Sequence, residues 1–102
     1  MSDYIYISGK ITGTTDYLER FAKAEKELTD QGYTVVNPAK VNAQLPTTSS
    51  YRFYMDMSLV MLSHCDKIYM LTGWENSNGA KMEHDFAVDN DINILYEDDC
   101  MI

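Results

Sequence analysis

The run Gly73–Ala87, GWENSNGAKMEHDFA, follows the apolar segment KIYML and reads as a turn opening into a helix. Within that helix Ala80, Glu83, Phe86 and Ala87 fall on one face at i, i+3, i+6 and i+7, the spacing of a stripe that packs inward. A carboxylate on such a stripe is costly unless it is hydrogen-bonded or open to a cleft. At a cleft wall it is a nucleophile or a base. A partner contact, or a stripe narrower than these four residues, accounts for Glu83 without chemistry. Asp56 is a second carboxylate in apolar company, within YRFYMDMSLVML. A solvated helix residue explains it equally well.

Two turns are suited to hold a ligand beside such a group. Ser8–Gly13, SGKITG, places two glycines and two hydroxyl residues after an apolar strand, and glycine lets backbone N–H groups approach a ligand closely. Glu75–Gly79, ENSNG, offers Ser77 or Asn78 as the cap of the helix that carries Glu83. Helix N-termini favour anions. Neither turn has the G-x-G-x-x-G or P-loop spacing, and each alone reads as an ordinary strand-to-helix connection. Opening on one crevice, the pair makes a phosphate or ribose site. Trp74, Tyr54 and Tyr69 supply either a stacking surface for a planar ligand or core packing.

Those groups must be positioned by regular elements. DYIYIS (Asp3–Ser8) is a short aromatic and β-branched strand. Asp16 with Glu19 forms a capping-box pattern, and Tyr17, Phe21, Ala24 and Leu28 give the stripe of a first helix that Gly32 stops. Tyr33–Pro38 is a second strand, and Ala39–Ser50, broken by Pro46, reads as a long loop. Ser49 or Ser50 starts a second helix with the stripe Tyr51, Met55, Leu59 and Leu62. KIYMLT is the third strand, the run around Glu83 the third helix, and INILYE the fourth strand. Four strands alternating with three helices predict an α/β fold: a small three-layer αβα sandwich on a four-stranded parallel sheet, flavodoxin- or Rossmann-like. Ligands in such folds bind outside the carboxyl ends of the strands, where the strand order reverses. The loops there are Gly9–Thr15, Asn37–Ser50 and Thr72–Asn78.

Composition sets the outer bounds. The 102 residues are expected to form one domain spanning 1–102. A net charge of -8, with eight basic residues scattered rather than clustered, excludes groove-tracking polynucleotide binding. Cys65 and Cys100, even with His64 and His84, show no metal-ligand spacing, so no metal is expected, and the cysteines read as reduced thiols of a cytoplasmic protein. No apolar run approaches the roughly 20 residues of a membrane span. The second helix carries Phe53, Tyr54, Met57, Leu59, Val60, Met61 and Leu62 around more than one face, more than a sheet can cover, which predicts a homo-oligomer.

Three blocks, YISGKITG, DMSLVMLSHCDKIYML and NSNGAKMEHDFA, resemble the signature blocks of the nucleoside 2-deoxyribosyltransferase-like superfamily, which includes the 2′-deoxynucleoside 5′-monophosphate N-glycosidases. The likeness runs from about Tyr4 to Tyr96 and is nearest a phage and bacterial branch with a similar GWE-S-GA---E block. Its most specific element is the G-x-x-x-E-x-x-x-A spacing of Gly79, Glu83 and Ala87. The resemblance implies a small nucleoside or nucleotide ligand and retaining N-glycoside chemistry, as an N-glycosidase or a deoxyribosyltransferase, without a cofactor. It implies Glu83 as the nucleophile at the anomeric carbon, Asp56 assisting at the sugar and the departing base, and Tyr6 near the sugar. Ser8, Gly9, Lys10 and Ile11 match the first ligand loop, and Ser77, Asn78 and Gly79 the loop holding the sugar or its 5′-phosphate. The chain departs from the pattern in two places. Gly73, Trp74 and Glu75 replace the usual D-x-G-T-like block, and Thr12 stands where the monophosphate hydrolases carry a phosphate-binding arginine. The competing reading is a module that binds a nucleotide-like metabolite in the same crevice without turnover.

Overall fold

Alternation along one strand organises the molecule. In the computed structural model, which describes residues 3–11, 13–44 and 50–100, β1 (Tyr4–Ser8) lies between β2 (Thr34–Val36) and β3 (Lys67–Met70). β4 (Asn93–Tyr96) pairs with the far side of β3, so four parallel strands run in the order β2-β1-β3-β4. Ile5 and Ile7 point to one face, where they meet Phe21, Ala24 and Leu28 of α1 (Tyr17–Asp30) and Ala39 of α2 (Pro38–Ala43). Tyr6 points to the other, toward Leu62 of α3 (Tyr51–Ser63) and Ala80 and Ala87 of α4 (Asn78–Asp89). A strand buried on both faces needs helices on both sides, and this is the three-layer αβα sandwich that the element order predicts.

Helix ends explain where the elements start and stop. Gly32 has φ +97°, a left-handed conformation that glycine adopts freely, and the Tyr33 N–H returns to the Leu28 carbonyl at 3.2 Å. Tyr33 therefore closes α1 rather than opening β2. Ser50 Oγ accepts the Phe53 N–H at 3.1 Å and caps α3. The alternative cap Ser49, and Pro46, lie outside the described residues, as does Thr12.

Three expectations are corrected. The stretch read as a loop begins with a helix: Asn37 Oδ1 accepts the Ala39 and Lys40 amides at 3.0 and 3.3 Å, and Pro38 takes the first helical position, where its missing N–H costs nothing. Asp16 makes no side-chain cap for α1; its carboxylate instead pairs with Arg20 Nε at 3.3 Å, one turn on. The inward stripe of α3 is Met55, Ser58 and Leu62, whereas Tyr51 is 56% exposed. No helix among the described residues is long and apolar enough to cross a membrane.

The strand order reverses beside β1, since the chain leaves β1 for β2 and returns across it to β3. That is where a parallel sheet opens its crevice.

Candidate active site

At this point a cavity of about 780 Å³ opens over the carboxyl end of β1. Its walls are the Gly9–Ile11 loop, the start and end of α2, one face of α3, and the turn leading into α4. α2 is held in place from α1. Glu25 accepts from Asn37 Nδ2 at 2.9 Å and pairs with Lys40 Nζ at 3.1 Å, and the Asn37 bond, ahead of the lysine, keeps its carboxyl below the usual range.

Glu83 forms part of the cavity wall from the second turn of α4 and is 6% exposed. The Ser77 cap sets the phase of that helix. Ser77 Oγ accepts the Ala80 N–H at 3.1 Å, and Ala80, Glu83 and Ala87 then face the sheet. On the sheet side, alternation brings Tyr6 and Ser8 to the same face. The Tyr6 hydroxyl donates to Glu83 Oε2 in a short hydrogen bond, and Ser8 Oγ donates to Oε1 at 2.6 Å. Burial pushes the Glu83 carboxyl up to about 7, and the Ser8 and Tyr6 hydroxyls oppose that rise by bonding the charged form. Burial, and then the neighbouring Glu83, hold the Tyr6 phenol well above the ordinary tyrosine range. A carboxyl balanced near neutrality at a cavity wall can act as a nucleophile or exchange a proton.

Of the residues singled out in the sequence, Tyr6, Gly9, Lys10, Ile11, Ser77, Asn78, Gly79 and Glu83 all line this cavity. Ser77 oxygens occupy the Ala80 and Lys81 amides, which leaves those of Asn78 and Gly79 as the first two N–H groups of α4 at the cavity mouth. Ser8 is 1% exposed behind the wall, not on it. Gly9 is required by packing, because a Cβ there would lie 2.9 Å from Leu71 Cδ1.

Asp56 is not brought to the site. Its side chain is 68% exposed and pairs with Arg52 at 3.7 Å. With Met55, Ser58 and Leu62 facing in, position 56 lies about 200° around the helix from Ser58, which turns it to solvent. Of the three aromatic residues considered for stacking, Tyr54 reaches the cavity, while Tyr69 is buried in the core under α1. Trp74 stacks on His84 at 4.4 Å, and His84 in turn meets the Tyr96 hydroxyl at 2.9 Å.

Two residues escaped the sequence reading. Ser58 lines the cavity with Tyr6 and counteracts the rise of its phenol. It occupies a stripe position that an apolar pattern search passes over. Asn42 lies on α2, inside the stretch read as a loop, and its buried Oδ1 has no hydrogen-bond partner among the described residues. Tyr17 and Phe21, read as plain core, show part of their surface to the same end of the cavity.

An αβα sandwich with a buried, hydroxyl-clamped glutamate over a switch-point cavity is the class that fold and site define. The family model described as Domain of unknown function (DUF4406) matches residues 3–96, so the chain belongs to that family. Among solved structures, the chain is similar to a 2-deoxyribosyltransferase from the psychrotolerant bacterium Bacillus psychrosaccharolyticus. The TM-score is 0.74 at 18% sequence identity, covering 91% of this chain and 70% of that one. At that identity the likeness is one of fold. No curated protein matches.

Proposed function

We propose that the protein is an N-glycosidase or deoxyribosyltransferase acting on a small nucleoside or nucleotide, with Glu83 as the nucleophile. The observation that carries this is the inward, buried carboxylate on the cavity wall, held at both oxygens by hydroxyls. Glu83 attacks the anomeric carbon, the C–N bond breaks with its electron pair leaving on the base, and the base takes a proton from solvent. The resulting glycosyl ester is then opened at the same carbon by water or a second base, which returns the carboxylate. The Asn78 and Gly79 amides suit a sugar hydroxyl or a 5′-phosphate. Tyr17, Phe21 and the Asn42 amide give the far wall the apolar surface and polar handle that a planar base requires. The fold neighbour's 2-deoxyribosyltransferase activity supports the same reading.

One observation favours binding without turnover. With Asp56 turned to solvent, Glu83 is the only carboxylate among the described residues lining the cavity, so no second carboxyl is in place for the leaving base. A panel of nucleosides and nucleotides, scored for free base and for thermal shift, separates the readings. Base release is expected. A shift without release makes the protein a binder, and neither signal across the panel removes both readings.

A second copy of the chain is the proposed cover for α3. Phe53 (44% exposed) and Val60 (60% exposed) lie seven residues apart on one outward face of α3, and Met82 of α4 is exposed as well. Light scattering at micromolar concentration is expected to give a dimer or larger. A monomer rules this out.

A further inference from the structure

The clamp on Glu83 has a direction. Ser8 ends β1 on the Tyr6 face, is 1% exposed, and gives its hydroxyl proton to Glu83 Oε1 at 2.6 Å. A phenol has one proton to give. Ser58, 5% exposed on the inward stripe of α3, shares the cavity wall with Tyr6 and counteracts the rise of its phenol. The single Tyr6 proton is given to Glu83 Oε2. Ser8 and Tyr6 thus hold one carboxylate oxygen each. Other titratable groups stand back: Cys65 lies behind Tyr6, and His84 turns from Glu83 toward Trp74 and Tyr96.

We propose that Ser8 is a positioning residue for Glu83, fixing its orientation and its charge rather than holding the ligand. For Ser8 this replaces the ligand-loop role that its place in the SGKITG turn suggests. The kinetic half of the proposal rests on the Glu83 nucleophile reading, and the titration half does not.

The test follows the Glu83 side-chain carboxyl by carbon-13 NMR in glutamate-labelled protein, with the signal assigned by its loss in Glu83→Gln. The wild-type midpoint is expected near 7. Ser8→Ala removes a donor to the charged form and should move the midpoint up by about one unit. Ser8→Cys, a weaker donor of similar shape, should fall between wild type and Ser8→Ala. On a substrate from the panel, Ser8→Ala should lower kcat about tenfold and leave KM within about twofold.

An unmoved midpoint in folded Ser8→Ala overturns the proposal. So does a raised KM at unchanged kcat in Ser8→Ala, which would mark a ligand contact. Should Ser8→Ala fail to fold, Ser8→Cys still decides. If the panel yields no turnover, the catalytic reading fails while the titration continues to judge the clamp.

Discussion

Glu83→Gln is expected to abolish base release, by about 10³-fold or more, and to make the protein more stable at neutral pH. The amide keeps the shape of the side chain but is a far weaker nucleophile, so ligand binding should survive. The stability gain follows from the sign of the linkage. The carboxyl titrates near 7 in the folded protein, against an ordinary value of 4.5. Between those values the folded state holds a proton that the unfolded chain has released, so wild-type stability falls as pH rises through that window and stays lower above it. Glutamine has no proton to lose. Its advantage should be absent below about pH 4.5, grow to about pH 7, and reach on the order of 1–3 kcal/mol, a rise in Tm of about 5 °C or more. The same titration should give kcat/KM a rising limb with a midpoint near 7. Asp56→Asn, changed on the solvent side of α3, is the control and should stay within about twofold of wild type. Wild-type rates in Glu83→Gln would end the catalytic assignment. An Asp56→Asn loss as large as that of Glu83→Gln would bring Asp56 back into the reaction.

Gly9→Val should be the most damaging change to the fold. A Cβ at Gly9 would lie 2.9 Å from Leu71 Cδ1 and 3.0 Å from Leu71 Cβ, and Leu71 is 1% exposed in the core with Ile5 and Ile7. Rotation can carry Cδ1 away, but Leu71 Cβ is fixed to its backbone, so turning the side chain relieves only part of the clash. A destabilisation of about 3 kcal/mol or more is expected, lowering Tm by roughly 12–24 °C. Gly79→Ala is the contrast. Its added Cβ would meet Met55 Sδ and the Tyr51 hydroxyl at 3.3 Å, the far ends of side chains that can give way. Thermal stability should hold there while ligand affinity drops, because the cavity mouth narrows. A wild-type melting curve for Gly9→Val would show that Leu71 yields and that the packing argument is wrong.

The residues that announced themselves in the sequence were those whose burial follows the helix or strand period. Ala80, Glu83 and Ala87 keep the 3.6-residue stripe, and Ser77 one turn earlier supplies the cap, so the inward glutamate was legible. The short aromatic and β-branched run before Gly9 likewise revealed a buried strand. What escaped depended on side chains reaching across the chain. α2 is a six-residue helix, too short to show a stripe, and it exists because Asn37 caps it and Pro38 starts it. Asp16 had the capping pattern, but Arg20 offered its carboxylate an ionic partner. Asp56 was drawn inward by resemblance, whereas the phase of α3 is set by Met55, Ser58 and Leu62 and turns it out. Ser58 was overlooked because a serine interrupts an apolar stripe, and Tyr6, with which it shares the cavity wall, sits 52 positions away in the chain.

The two sides of the cavity belong to different layers. Glu83, Tyr6, Ser8 and Ser58 are packed with the α3–α4 layer, while Tyr17, Phe21 and Asn42 come from α1 and α2 on the opposite face of the sheet. Between them runs β1, whose alternate residues serve one side each. Mutations on the α1–α2 side can therefore reshape what is admitted while the Glu83 carboxylate keeps its bonds. In the proposed enzyme, appetite and chemistry would sit on separate walls. Descendants sharing an intact Glu83 clamp should diverge first at Asn42 and its neighbours.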